Sequence, residues 1–193
     1  MKHFIHYTSI FIFLTAFIIC TTSIPTYATN DNLNNFSQYL ISTDEVTFSK
    51  DDDVCKKVDE LCEGLPNTAS KVAEIYNFIY TNISYDYNLA EDIKNGKVKT
   101  YIPNAIDTLN SKKGICFDFS VLFATMCRSQ DIPCYIEKGY YGDTLHSWNK
   151  VYVENKWYVI DSTVKLKHNL ENEIFYKARR LKISKINIKK EEK

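Results

Sequence analysis

The sequence predicts an α+β fold, with helices first and an antiparallel sheet after them. Two patterns carry that prediction. Apolar residues recur at helical spacing in successive segments up to Ser129. From Pro133 onward, short β-rich runs alternate around tight-turn residues instead, and helices followed by strands indicate a segregated α+β arrangement. Composition adds a third observation: 45% apolar and 25% charged residues over 193 positions supply one ordinary core, with no global signature of disorder.

The chain opens on a targeting pattern. Lys2, with His3 and His6, precedes an apolar stretch from about Ile10 to Ile19, followed by Pro25. Thr26-Tyr27-Ala28 then offers small residues at the two positions that a signal peptidase inspects. The stretch is short for a membrane span, which takes roughly 20 residues. Residues 1–28 therefore read as a signal peptide cleaved near Ala28, and the protein as secreted or surface-associated. An uncleaved N-terminal anchor is the alternative. Cys20 lacks the small residues that precede a lipid-modified cysteine.

Residues 29–50 are rich in Asn, Ser and Thr and read as a polar linker with one short strand. Asp51-Asp52-Asp53 opens a helix, since acidic groups suit the first turn, and Gly64-Leu65-Pro66 stops it. Asn67 or Thr68 caps the next helix, whose Val72, Ile75, Tyr76 and Ile79 share one face. Ser84-Tyr85-Asp86-Tyr87 breaks that pattern, and residues 88–104 read as a polar excursion. A short helix from Ala105 to Leu109 leads to Lys112-Lys113-Gly114. The longest amphipathic segment, Cys116 to Ser129, carries Phe119, Leu122, Phe123 and Met126 at helical spacing. Pro133 ends it and starts a strand through Cys134, Tyr135 and Ile136. Two more strands, His146–Val153 and Lys156–Thr163, flank the turn residues Glu154-Asn155. The domain is thus expected to span residues 51–168, with residues 169–193 a basic tail.

Charge narrows the partners. From Lys165 onward there are ten basic and four acidic residues, against a near-neutral chain. Such a tail can meet an anionic cell-surface polymer, though a solvated end is the commoner meaning of a charge run. No specific nucleic-acid recognition is implied. No cofactor is expected, and no metal: Cys116, Cys127 and Cys134 lack paired close spacing, and His168 and Asp143 have no ligand partners at recognisable distances.

Past residue 28 the chain keeps five cysteines, an odd number, which leaves at least one thiol free or paired between chains. Cys55 and Cys62 lie about 10 Å apart on one helix, too far to bridge each other. Cys127 sits about three turns beyond Cys116, so those two cannot bridge either. The thiols other than Cys116 read as small apolar core residues, with a disulfide between the Cys55/Cys62 helix and Cys127 or Cys134 left open.

Cys116 is different. Gly114 permits a tight turn just before it, and the thiol then falls in the first turn of a long helix. Unpaired N–H groups there stabilise a thiolate and can donate to a developing oxyanion. Lys112 and Lys113 add positive potential. If Glu154-Asn155 is a two-residue turn, Trp148 faces Asp161 and His146 faces Thr163 across the hairpin. His146, Trp148 and Asp161 then share one face, and the carboxylate can fix the tautomer of the imidazole from a diagonal position. A turn one residue longer would break that parity. Taken alone, Cys116 could be a core thiol, His146 a hydrogen-bonded strand histidine and Asp161 a turn cap. Together they form a nucleophile, its base and the orienting group of that base. Trp148 and Trp157 read as core or site-wall residues, and Asp118 as a cap of its own helix.

These residues also sit in a recognisable order. Ala105-Ile106-Asp107-Thr108-Leu109 with Lys113-Gly114-Ile115-Cys116-Phe117-Asp118-Phe119 resembles the cysteine motif of the transglutaminase-like superfamily. Arg128-Ser129-Gln130-Asp131-Ile132-Pro133 resembles the helix end that follows it. His146-Ser147-Trp148-Asn149 and Trp157-Tyr158-Val159-Ile160-Asp161-Ser162-Thr163 resemble its histidine and aspartate motifs. The resemblance covers roughly residues 70–165 and rests on three motifs in order. It implies a papain-like core, with Cys116 as nucleophile, His146 as base and Asp161 as orienting carboxylate. It also implies acyl transfer from a protein or peptide amide, with an amine (transglutaminase) or water (peptidase or amidase) as acceptor. A non-catalytic module on this fold would be expected to lack a triad residue. Ser147 stands where Ala is usual and Asp131 where Gly is usual, neither expected to touch the chemistry. Tyr101 is the candidate stand-in for the aromatic residue that helps the oxyanion in the animal enzymes.

Overall fold

A computed structural model describes residues 36–164. The expected signal peptide, the basic tail and His168 lie outside the described residues.

Helix α1 (Asp53–Cys62) starts where the acidic run predicts, because the Asp52 carboxylate accepts the Cys55 N–H at 2.8 Å. It buries Val54, Cys55, Val58 and Cys62. Helix α2 (Thr68–Asn82) is capped by Asn67, which accepts from Ser70 N at 2.9 Å, and buries Val72, Ile75, Tyr76 and Ile79. A two-residue strand β1 (Ser84–Tyr85) follows. The segment expected as a polar excursion begins with a helix instead, α3 (Tyr87–Lys94). It buries none of its residues, so hydrophobic periodicity could not announce it. What starts it is local, the Asp86 carboxylate accepting from Leu89 N at 3.0 Å. Helix α4 (Ala105–Ser111) is capped by Asn104, which accepts from Ile106 N and Asp107 N. Strand β2 (Lys113–Gly114) pairs parallel with β1 in the register Ser84↔Lys113 and Tyr85↔Gly114.

Helix α5 (Cys116–Ser129) is the centre of the molecule. Nearly all its residues are buried, with Leu122, Phe123, Ala124, Met126 and Cys127 fully so. It packs α1, α2 and α4 on one side and the sheet on the other. Each large apolar side chain removed from water here is worth about 1.5–3 kcal/mol before entropy is counted, so α5 anchors whatever its ends carry. Asp131 follows it at φ 57°, a left-handed conformation that a short polar side chain tolerates. That backbone is the reason glycine suits this position.

The sheet runs in the order β3-β4-β5, antiparallel throughout, with β3 Cys134–Tyr141, β4 Thr144–Val153 and β5 Lys156–Ile160. Strand β4 turns Ser147, Asn149, Val151 and Val153 inward and alternates them with half-buried residues. Glu154 and Asn155 form the two-residue turn, at φ 48° and 66°, the pair of left-handed residues that a type I′ hairpin needs. The register is therefore Val153↔Lys156 through Asn149↔Ile160, the parity that the site requires.

The described part of the expected linker is packed rather than free. Val46 is buried in the core, and Phe36 and Tyr39 set their rings against Tyr135, Tyr152 and Trp157 on the outer sheet face. Buried Arg128 ties this segment to the domain, donating to the Ile41 and Cys134 carbonyls at 2.8 and 2.9 Å. Trp157 is thus a packing residue. All five cysteines among the described residues are free, buried thiols.

Candidate active site

Cys116 occupies the first position of α5, with its thiol facing strand β4. Three contacts hold that helix start. Gly114 lies under the Asp118 side chain so closely that a Cβ there would meet Asp118 Cβ at 2.5 Å. Asp118 then accepts from Ile115 N at 2.7 Å, which makes it the expected helix cap. A buried polar clamp fixes helix to strand: Asn149 Nδ2 donates to Ser120 O at 2.9 Å, and Ser120 Oγ bonds Cys116 O at 2.9 Å and Ser147 Oγ at 3.3 Å. Polar groups buried with partners specify one arrangement, because any slip would leave them unpaired.

The structure brings His146 and Asp161 together across the β4–β5 hairpin. His146 Nε2 lies 2.7 Å from Asp161 Oδ2, which leaves Nδ1 as the ring nitrogen for Cys116. The ladder stops at Asn149↔Ile160, three residues short of the strand end expected at Thr163, because the chain after Ile160 turns. Asp161 Oδ1 accepts both Thr163 N, at 3.0 Å, and Thr163 Oγ1, at 2.6 Å. The carboxylate is thereby held from both sides. Cys116 is 9% exposed, and the His146 and Asp161 side chains are 20% and 23% exposed, enough for a substrate to reach one edge of the group.

The electrostatics follow from these contacts. Burial pushes the Cys116 thiol up, but hydrogen bonds with His146 and with the Ser147 side chain and backbone outweigh it and bring the thiol below its usual 9.0. The hydrogen bond to Asp161, then that to Cys116, raise His146 to about 10 against a smaller loss from burial. Burial raises Asp161, and its bonds to His146 and Thr163 more than reverse that, so it stays below the ordinary carboxylate value. Both shifts favour the charged forms, thiolate and imidazolium, beside the Asp161 carboxylate. That is the charge state of an activated nucleophile.

Other candidates take different places. Trp148 stands beside His146, its ring centroid 6.0 Å away and its indole N–H donating to Glu137 at 2.7 Å. It covers Gly139 so closely that a Cβ there would meet the indole at 2.7 Å. The Tyr101 hydroxyl donates to Asp118 Oδ1 at 2.8 Å. A phenol has one proton to donate, so in this arrangement Tyr101 steadies the helix cap and has none left for an oxyanion. Ser147, expected to stay clear of the chemistry, is against the thiol. Tyr85, read from the sequence only as a helix breaker, also meets Cys116. Two-residue strands have no periodicity, so no sequence signal pointed to the β1–β2 bridge that brings it there. Among the described residues, no group of three or more His, Cys, Asp or Glu side chains converges as a metal site.

A sequence profile described as the Transglutaminase-like superfamily matches residues 56–162, more than half of the chain. The chain belongs to that superfamily. Kyphoscoliosis peptidase of Mus musculus is 28% identical over 118 residues, covering 55% of this chain and 17% of the relative. The Homo sapiens protein of the same name is 27% identical over 144 residues, covering 68% of this chain and 21% of the relative. The chain thus spans about a fifth of the length of these relatives. A crystal structure of a candidate cysteine protease from Cytophaga hutchinsonii superposes with a TM-score of 0.55 at 24% identity, over 67% of this chain and 42% of that one. The superfamily's fold, helices with an antiparallel sheet, is the fold of this chain.

Proposed function

We propose that this superfamily member is an exported cysteine-dependent acyl-transfer enzyme acting on protein or peptide amides, with Cys116 as nucleophile, His146 as base and acid, and Asp161 as orienting carboxylate. The observation that carries the reading is the chain of contacts from the thiol at a helix start, through His146, to Asp161 at 2.7 Å. In the first step the Cys116 thiolate attacks the amide carbonyl; a C–S bond forms and the C=O π pair moves to oxygen. N–H groups at the start of α5 stabilise that oxyanion. As the tetrahedral adduct collapses, the C–N bond breaks and the His146 imidazolium gives its proton to the leaving amine. Water or a second amine, deprotonated by His146, then resolves the thioester.

Exposed apolar residues beside the base favour a polypeptide substrate. Leu145 and its cross-strand partner Tyr140 are 64% and 74% exposed one position from His146. Export rests on the N-terminal pattern of residues 1–28. The peptidase names of the relatives make water as credible an acceptor as an amine. The test is to incubate the protein with casein and a fluorescent primary amine. Amine incorporation that requires Cys116 identifies a transglutaminase, and new peptide fragments that require Cys116 identify a peptidase. Chemistry unchanged in Cys116→Ala would contradict the reading.

A further inference from the structure

The helix start supplies backbone N–H groups, and Tyr101, the expected aromatic helper, has its proton committed to Asp118. A different tyrosine is in position. Strand β1 pairs with β2 so that Tyr85 lies directly across from Gly114, two residues before the nucleophile. The Asp86 N–H donates to Gly114 O at 2.8 Å and locks that register. The Tyr85 ring then lies over the first turn of α5, its centroid 6.3 Å from that of Phe119 and 5.0 Å from that of Tyr87. Its half-buried hydroxyl meets both the side chain and the backbone N–H of Cys116. Burial and the neighbouring thiol raise it to about 12, so it keeps its proton wherever the thiolate exists.

We propose that the Tyr85 hydroxyl donates a hydrogen bond to the oxyanion formed at Cys116, as a catalytic residue beside the helix-start N–H groups. This rests on the Cys116–His146–Asp161 reading above. In the resting site the phenolic O–H faces sulfur. When sulfur attacks, its negative charge leaves for a carbonyl oxygen bonded to the same new tetrahedral carbon. A donor fixed against sulfur is therefore already within reach of the atom that receives the charge. No proton is transferred: the O–H bond of Tyr85 stays intact while C–S forms and the π pair becomes a lone pair. An interaction that strengthens as charge develops lowers the barrier, and loss of one such donor typically costs about 10²–10³-fold in rate.

Two reactions of the same thiolate separate this role from mere positioning. Attack on p-nitrophenyl acetate passes through an oxyanion and expels p-nitrophenolate. Displacement of iodide from iodoacetamide does not. Tyr85→Phe keeps the ring and its packing. At a pH where the thiolate is fully formed, the variant is expected to lose about 10²-fold in the Cys116-dependent acylation burst, with the alkylation rate within about threefold of wild type. Equal losses in both reactions would make Tyr85 a positioning residue and overturn the proposal, as would no loss in either. If wild-type Cys116 alkylates no faster than an ordinary thiol, the triad reading itself fails, and the proposal with it.

Discussion

The two ends of helix α5 place the same side chain in opposite electrostatic settings. Cys116 at the start is held below the usual thiol value by His146 and Ser147, despite burial. Cys127, eleven residues on, is pushed well above it, by burial first and then by its hydrogen bond to the Cys134 thiol. Burial raises both thiols, more so at Cys127, which is fully buried where Cys116 keeps 9% exposure. The rest of the difference lies in what faces each sulfur: an imidazole backed by a carboxylate at one end, another thiol in an apolar core at the other. Helix polarity adds to it, since the positive end of the helix dipole lies at Cys116 and the negative end near Cys127. The setting of each thiol is thus fixed by its position in the fold rather than by residue type.

The sharpest way to break that contrast is to exchange the losses. Cys116→Ala should abolish acyl transfer, while Cys127→Ala should leave its rate within about twofold of wild type and cost about 1 kcal/mol of stability for the small cavity. Equal losses of activity in the two variants would erase the distinction. Removing the partner rather than the sulfur comes next. His146→Ala should lower acyl transfer by about 10²–10⁴-fold, the usual contribution of a positioned acid–base group, with the fold intact by circular dichroism.

Asp161→Asn probes the same contrast through pH. His146 is raised above its usual 6.5, so its pairing stabilises the fold fully below that value and is lost as pH climbs through about 10. Asp161 is lowered from 3.8, so its contribution is present above that value and disappears as pH falls through its depressed pKa. The stability gap between wild type and Asp161→Asn in urea titrations should therefore be widest between about pH 4 and 6.5 and narrow on both sides. A gap that does not vary with pH would mean the two groups are not coupled. A smaller effect is expected at the helix cap. Asp118→Ala leaves Ile115 N–H and the Tyr101 hydroxyl without their acceptor, at a cost of about 2–3 kcal/mol in denaturant midpoints.

Much of this was legible in the sequence where a local rule and a distant one agreed. The β4–β5 register follows from one premise, that Glu154-Asn155 makes a two-residue turn, and it delivers the chain to His146 although the ladder itself ends at Ile160, one residue before Asp161. Asp52 and Asn67 mark helix starts by chemistry visible in the sequence, whereas the Asn104 cap closes a run that reads only as a polar excursion. What stayed hidden had no periodic signal. Helix α3 buries nothing, and Val46 is one apolar residue in a polar run. Tyr85 reaches Cys116 only because two short strands, distant in sequence, pair in parallel. Tyr101 was a reasonable aromatic candidate until the structure gave its single proton to Asp118. Hydrogen-bond partners of side chains far apart in sequence are tertiary facts, and spacing does not encode them.

The central claim is an activated thiolate at Cys116, and iodoacetamide labelling followed by intact mass across pH tests it most directly. Wild type should label once, rapidly, already at about pH 6, where a thiol of ordinary pKa is almost wholly protonated. That fast site should vanish in Cys116→Ala and slow markedly in His146→Ala. Labelling no faster than an ordinary thiol, or a fast rate that survives the loss of His146, would contradict the thiolate–imidazolium pair on which the account stands.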